Sequence, residues 1–208
     1  MISRRRFGRW ALACGAGLGG LSANAGRSAA AEADEPLVGA DGMFTQPWFL
    51  QSFLDLGEDF REAADGGKRF AVLWEQKGCP YCRETHRVNF AIPEVRDFVR
   101  DNFAVLQLDI FGSREVTDFD GKALEERALA RRSRITFTPT FQFFPETASS
   151  AGGHAAEVTR MAGYFRPFHF LTMFEFVREK AYRNNDFQRF LQAKVEEMRR
   201  KGIKVEMW

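Results

Sequence analysis

Residues 69–75, RFAVLWE, form a short apolar run that ends three residues before the segment Cys79-Pro80-Tyr81-Cys82. A run of this length, bounded by Gly66-Gly67 and Gly78, reads as a buried strand. Pro80 marks a helix start, because its missing N–H falls where the first turn needs none. The chain therefore passes from a central strand directly into a helix whose tip carries two cysteines. Downstream, PEVRDFVRDNF reads as a short helix opened by Pro93, FAVLQLDI (103–110) as a second strand, and ALEERALARRS (123–133) as a helix. TPTFQFF (138–144) and EVTRMAGY (157–164) read as two strands of a hairpin joined by the long turn PETASSAGGHAAE, and RPFHFLTMFEFVREKAY (166–182) as a strongly apolar helix. This order, β-α-β-α-β-β-α, demands a right-handed crossover and a sheet covered on both faces. The expected class is α/β, with a central mixed sheet flanked by helices.

Two further helices lie outside this repeat-free order. From Pro47 to Ala64, apolar residues recur at Trp48, Leu50, Phe53, Leu54 and Phe60, which predicts an N-terminal helix, broken near Gly57 and ended by Gly66-Gly67. At the other end, NNDFQRFLQAKVEEMRRKG predicts a C-terminal helix with an Asn/Asp cap and a Gly stop. FGSREVTDFDGK (111–122) reads as a polar loop.

The N-terminus has the order of an export signal. SRRRFGRW carries four arginines and no acid, ALACGAGLGGL is weakly apolar, and SANA supplies small residues in A-x-A spacing. The Ser3-Arg4-Arg5-x-Phe7 start is of the twin-arginine type. Residues 1–31 are expected to be this signal, with cleavage after Ala25, Ala31 or Ala33, followed by a flexible leader over 32–42. A mitochondrial presequence or lipidation at Cys14 are weaker readings of the same residues. The domain itself is expected over 43–182, with a helical extension over 183–208.

Removing the signal changes two arguments. The 30 basic residues include Arg4, Arg5, Arg6 and Arg9, so the remaining 26 stand against 28 acidic ones, and the basic balance gives no support to nucleic-acid binding. Of three cysteines, Cys79 and Cys82 remain, which excludes a multi-disulfide framework. With 45% hydrophobic residues and 22 Phe, the chain has the material for a packed core.

The cysteine pair admits several chemistries. At a helix N-terminus, free N–H groups and the positive helix end favour a thiolate on Cys79, and Lys77, Arg83 and Arg87 lie near in sequence. Two intervening residues bring the thiols within disulfide reach across one turn. Cys79, at the exposed tip, is then the nucleophile, and Cys82, one turn inside, resolves the mixed disulfide. A purely structural disulfide would close a tiny loop and stabilise little. Zinc needs four ligands, and only His154 or His169 could join Cys79, Cys82 and His86. Copper(I) needs fewer and stays open as a non-enzymatic alternative. His86, four residues after Cys82, shares its helix face and is a candidate proton shuttle or a packed core histidine.

From Phe44 to Tyr182 the pattern of strand, CPYC, helix and FTPTFQFF resembles the thioredoxin superfamily. The resemblance implies a thioredoxin fold, a redox-active Cys79–Cys82 disulfide with no other cofactor and no metal, and a cis Thr138-Pro139 bond facing the cysteines. It also implies that Pro80, Tyr81, Thr138, Pro139 and Gly163, the last beside Tyr164, meet the substrate. The spacing C-x-Y-C-x-x-x-H, with Thr before the Pro, is similar to the periplasmic DsbC-like branch. Together with the twin-arginine start, GSREVTDFDGKAL and PTFQFFPE, the chain resembles periplasmic thioredoxins associated with sulfur-oxidation gene clusters. That implies a protein-disulfide reductase in the periplasm, electrons from a membrane thiol carrier of the DsbD/CcdA kind, and sulfur-oxidation proteins as partners. An oxidase or isomerase of the DsbA/DsbC type is the alternative enzyme. Two departures stand out. The Cys-Gly-Pro-Cys of thioredoxins is replaced by a glutaredoxin-like Pro-Tyr pair. The buried carboxylate six residues before the first cysteine is replaced by Leu73, leaving Glu75 as the nearest acid and a second candidate for proton transfer. The 110–122 loop and the helix over 185–201 are additions, either partner surfaces or covers for the core.

Overall fold

The computed structural model describes residues 35–147 and 151–204. The expected export signal, the first part of the leader, part of the 145–157 turn and the last four residues lie outside the described residues. Helix α1 spans Leu56–Asp65, strand β1 Arg69–Glu75, helix α2 Pro80–Glu84 and a π-helical turn Thr85–Asn89. Helix α3 (Pro93–Asn102), strands β2 (Phe103–Asp109), β3 (Glu115–Thr117) and β4 (Ala123–Glu125), and helix α4 (Glu126–Arg132) follow. Strands β5 (Thr140–Phe143) and β6 (Thr159–Ala162), helix α5 (Pro167–Arg178) and helix α6 (Phe187–Arg200) complete the order, with short 3-10 turns before β6 and after α5.

The main sheet has the order β2-β1-β5-β6. Strand β1 pairs in parallel with β2, from Arg69 opposite Phe103 to Glu75 opposite Asp109, and antiparallel with β5. Strand β6 is antiparallel to β5. The sheet is thus mixed and flanked by helices, as the order of apolar runs demands. Strand β1 is central, and its alternating residues feed two cores. Ala71 and Leu73 meet Phe141, Phe143, Phe170 and Phe174 on one face; Phe70, Val72 and Trp74 meet Leu56, Phe60, Leu108 and Leu129 on the other. The many phenylalanines interlock edge to face, as Phe103 does with Phe174 at 4.8 Å. Helix α5 is apolar on most of its surface because it packs on the sheet and is covered in turn by α6, through Phe176 against Phe187 and Phe190. The C-terminal extension therefore covers a helix.

Two local expectations are corrected. The N-terminal helix does not begin near Pro47 but at Leu56, capped by Asp55, whose carboxylate accepts the Glu58 N–H at 2.9 Å. Residues 47–55 instead follow the outer edge of β2, where the Leu50 N–H donates to Val105 O at 2.9 Å. Trp48, Phe49, Leu50 and Leu54 pack from a non-helical backbone while Phe53 is fully exposed, and Gly57 lies inside the helix rather than at a break. The 111–122 loop, in turn, contains β3, which pairs with β4, so α4 starts at Glu126 and the first three residues of the expected helix are strand. Glu126 is buried and accepts from the Asp109 and Arg114 backbone N–H groups at 3.0 and 3.3 Å, tying the loop to the end of β2. Among the described residues no helix is long and apolar enough to cross a membrane.

Candidate redox site

The chain leaves β1 at Glu75 and turns through Gly78, whose φ of 72° is the left-handed conformation that favours glycine. Cys79 is the N-cap of α2, with Pro80 in its first turn. Cys79 and Cys82 form a disulfide with their Cα atoms 5.2 Å apart. The sequence explains the geometry, since the cap and one helical turn separate the sulfurs.

The two sulfurs have unequal surroundings. Cys79 Sγ accepts the Cys82 backbone N–H at 3.1 Å and the Thr138 hydroxyl at 3.3 Å, with Thr138 O 3.6 Å away. Charge left on Cys79 by reduction would meet donors already in place. In this oxidised form Cys79 is not an exposed tip: it is 3% exposed against 1% for Cys82, because the cap position tucks its side chain toward Thr138. Arg83 and Arg87 offer little unpaired charge, since Arg83 pairs with Glu35 and Arg87 bonds Glu84 at 3.0 and 2.8 Å.

The Thr138-Pro139 bond is cis. Pro139 O accepts the Gly163 N–H at 2.7 Å, and Gly163 has φ 91° with open space where a Cβ would stand. Thr138 thus touches Cys79 directly, Gly163 is tied to Pro139 next to it in sequence, and Tyr81, between the cysteines, is 62% exposed. Besides Phe53, two exposed aromatics went unanticipated in the sequence: Phe137, immediately before Thr138, and Phe111, just past the end of β2. Aromatic residues before a Pro turn or in a polar loop carry no period, so only the structure reveals their exposure.

The end of β1 and the turn that follows α2 share a buried polar pair. The side chains of Glu75 and His86 are both 0% exposed, and His86 Nε2 is 3.2 Å from each carboxylate oxygen of Glu75. The Gln107 amide donates to Glu75 Oε2 and, at 2.5 Å, to Phe44 O. Gln46 Nε2 meets His86 Nδ1 at 3.1 Å. His86 sits in the π turn, a helix form often found at functional sites. Both candidates for proton transfer are therefore brought together, on the sheet face that also carries Ala71 and Leu73. His154 lies elsewhere, 2.9 Å from Glu157 Oε1, and burial pushes the His169 imidazole below its usual value. Among the described residues no group of three or more His, Cys, Asp or Glu is placed to hold a metal ion.

A family model described as a thioredoxin-like domain matches residues 56–178, more than half of the chain. Among solved structures, a thioredoxin-fold protein from Helicobacter pylori is 20% identical, with a TM-score of 0.48 over 63% of this chain and 81% of that one. A thioredoxin from Thermus thermophilus is 26% identical, with a TM-score of 0.45 over 58% of this chain and 82% of that one. No curated protein matches the chain.

Proposed function

The chain belongs to the thioredoxin-like domain family, and from that premise we propose that this thiol–disulfide oxidoreductase is an exported reductase of protein disulfides. The observation that carries the reading is the convergence of two donors, the Cys82 N–H and the Thr138 hydroxyl, on the sulfur of Cys79 alone. In the reduced protein these stabilise a Cys79 thiolate, which attacks one sulfur of a substrate disulfide. The substrate S–S bond breaks, a Cys79–substrate disulfide forms, and the first substrate thiol departs. Cys82 then loses its proton to the Glu75–His86 pair and attacks Cys79 Sγ. The mixed disulfide breaks, the internal disulfide forms, and the second substrate thiol departs. Two electrons have passed from the dithiol to the substrate.

Substrate recognition falls to the surface around Thr138. The half-buried segment at Thr138 offers extended backbone to a substrate strand, and the exposed rings of Tyr81 and Phe137 add apolar surface beside it. The finer setting rests on the sequence: the twin-arginine start supports a periplasmic location, and the resemblance to periplasmic thioredoxins of sulfur-oxidation gene clusters supports service to sulfur-oxidation proteins. A membrane thiol carrier of the DsbD/CcdA kind would return the electrons. The test is a Cys82→Ser variant expressed in its own periplasm. It should accumulate thiol-reducible protein adducts on Cys79, and Cys79→Ser should accumulate none. Glutathione adducts alone would point to a glutaredoxin-like activity, and copper bound at the pair without adducts would point to a metal carrier.

A further inference from the structure

We propose that Gln46 is a positioning residue of the redox site: it holds His86 at Nδ1, opposite the nitrogen that faces Glu75, and so sets the capacity of the Glu75–His86 pair to take the proton that Cys82 gives up. The inference rests on the thiol–disulfide reading above, and it assigns a role to the segment ahead of α1 that a covering strand would not have.

The hydrogen positions follow from the charge on Glu75. With Glu75 ionised, its carboxylate only accepts hydrogen bonds, so His86 Nε2, 3.2 Å from both oxygens, carries a hydrogen. In a neutral imidazole Nδ1 is then an acceptor, and the group facing it is the Gln46 amide, 3.1 Å away. The rings of Phe44, Phe49 and Phe90 stand 6.2, 5.8 and 5.5 Å from the imidazole and close off other orientations. Among the described residues, His86 makes its polar side-chain contacts with Glu75 and Gln46 alone. The titratable groups around it are Glu75 from β1 and Cys82 one turn earlier on its own helix. Gln107 from β2 and Gln46, Phe44 and Phe49 from the N-terminal segment are uncharged.

When the pair gains a proton, Nδ1 becomes a donor. Gln46 can meet that state as well, because turning its amide presents Oε1 in place of Nε2. Glutamine is the side chain that serves both states. A leucine would serve neither, and a glutamate would serve the charged imidazole alone. In the resolving step the Cys79–substrate bond breaks, the Cys79–Cys82 bond forms, the substrate sulfur leaves as thiolate, and the Cys82 proton moves to the Glu75–His86 pair and then to solvent.

The experiment loads Cys79 of the reduced protein with thionitrobenzoate and follows its release by Cys82 across pH, alongside the imidazole nitrogen shifts of His86 by NMR. In the parent, oxidised His86 should show the Nε2–H tautomer. Gln46→Leu should slow release at its plateau by about threefold to tenfold, the loss of one hydrogen bond, and move the His86 titration and the pH limb of release to lower pH. Gln46→Glu should move both to higher pH. Shifts in the same direction for the two variants, or nitrogen shifts like the parent's in both, would overturn the role of Gln46. If the parent releases no faster than its Cys82→Ser variant, the oxidoreductase reading itself fails.

Discussion

The Thr138 hydroxyl donates to Cys79 Sγ at 3.3 Å, across 59 residues of sequence. The cis bond that follows it and the cap that holds Cys79 are far apart in the chain, yet one hydrogen bond joins them. Because it reaches Cys79, the proposed attacking sulfur, and not Cys82, Thr138→Val should slow alkylation of the reduced protein at neutral pH by about tenfold at most, the worth of one bond to a charged sulfur. The pH profile of iodoacetamide labelling would show it as a shift of the reactive limb to higher pH. An unchanged profile would leave the thiolate to the helix end and the Cys82 N–H.

Asp59 supplies a pH dependence of stability independent of the cysteines. Burial is the main cause that pushes its carboxyl up to about 6 from 3.8; the bond from Ser52 Oγ at 2.6 Å opposes this, and Glu62, Asp55 and Glu58 add to it. The folded state therefore holds the proton more tightly than the unfolded chain. The favourable contribution is complete below about pH 4 and is lost as pH rises through about 6. Asp59→Asn should leave stability nearly unchanged at pH 4 and raise it above pH 7 by on the order of 2 kcal/mol. Urea unfolding at the two pH values checks this; an equal effect at both would contradict it.

Gly112 tests the link between the β2 end and α4. A Cβ there would lie 2.0 Å from Glu126 Oε2 and 2.6 Å from its carboxyl carbon. Glu126 cannot swing away freely, since its carboxylate holds the Asp109 and Arg114 N–H groups and the Arg114 guanidinium at 2.5 Å. Gly112→Ala should destabilise the protein by about 1–3 kcal/mol, read as a lower urea midpoint with the slope unchanged. Stability equal to the parent's would show that the carboxylate has other partners to turn to.

Much of this architecture was readable in the residues. RFAVLWE and FAVLQLDI are strands because continuous apolar runs of that length suit a sheet buried on both faces, and Pro80 and Pro93 mark where helices start. Segment 47–55 misled because Leu50, Phe53 and Leu54 are spaced as on a helix face while Leu50 pairs with the edge of β2; periodicity carries no record of a backbone partner. The polar loop hid β3 for the same reason. At the site, Cys79, Cys82 and His86 could be singled out by chemistry and spacing, and Glu75 only through the resemblance to the thioredoxin superfamily. Gln46 could not: its partner is 40 residues away, and an amide gains its meaning only from the nitrogen it faces.

The reduction potential tests the central claim most directly. A protein-disulfide reductase must keep its dithiol reducing enough to open substrate disulfides, and its Pro80-Tyr81 pair is of the glutaredoxin type, whose potentials lie at about −200 to −230 mV. Equilibration of the purified protein against a dithiol redox buffer should give a value in that range or somewhat more reducing. A value near about −120 mV, the level of a strong periplasmic oxidant, would contradict the reductase account and make the protein a donor of disulfides.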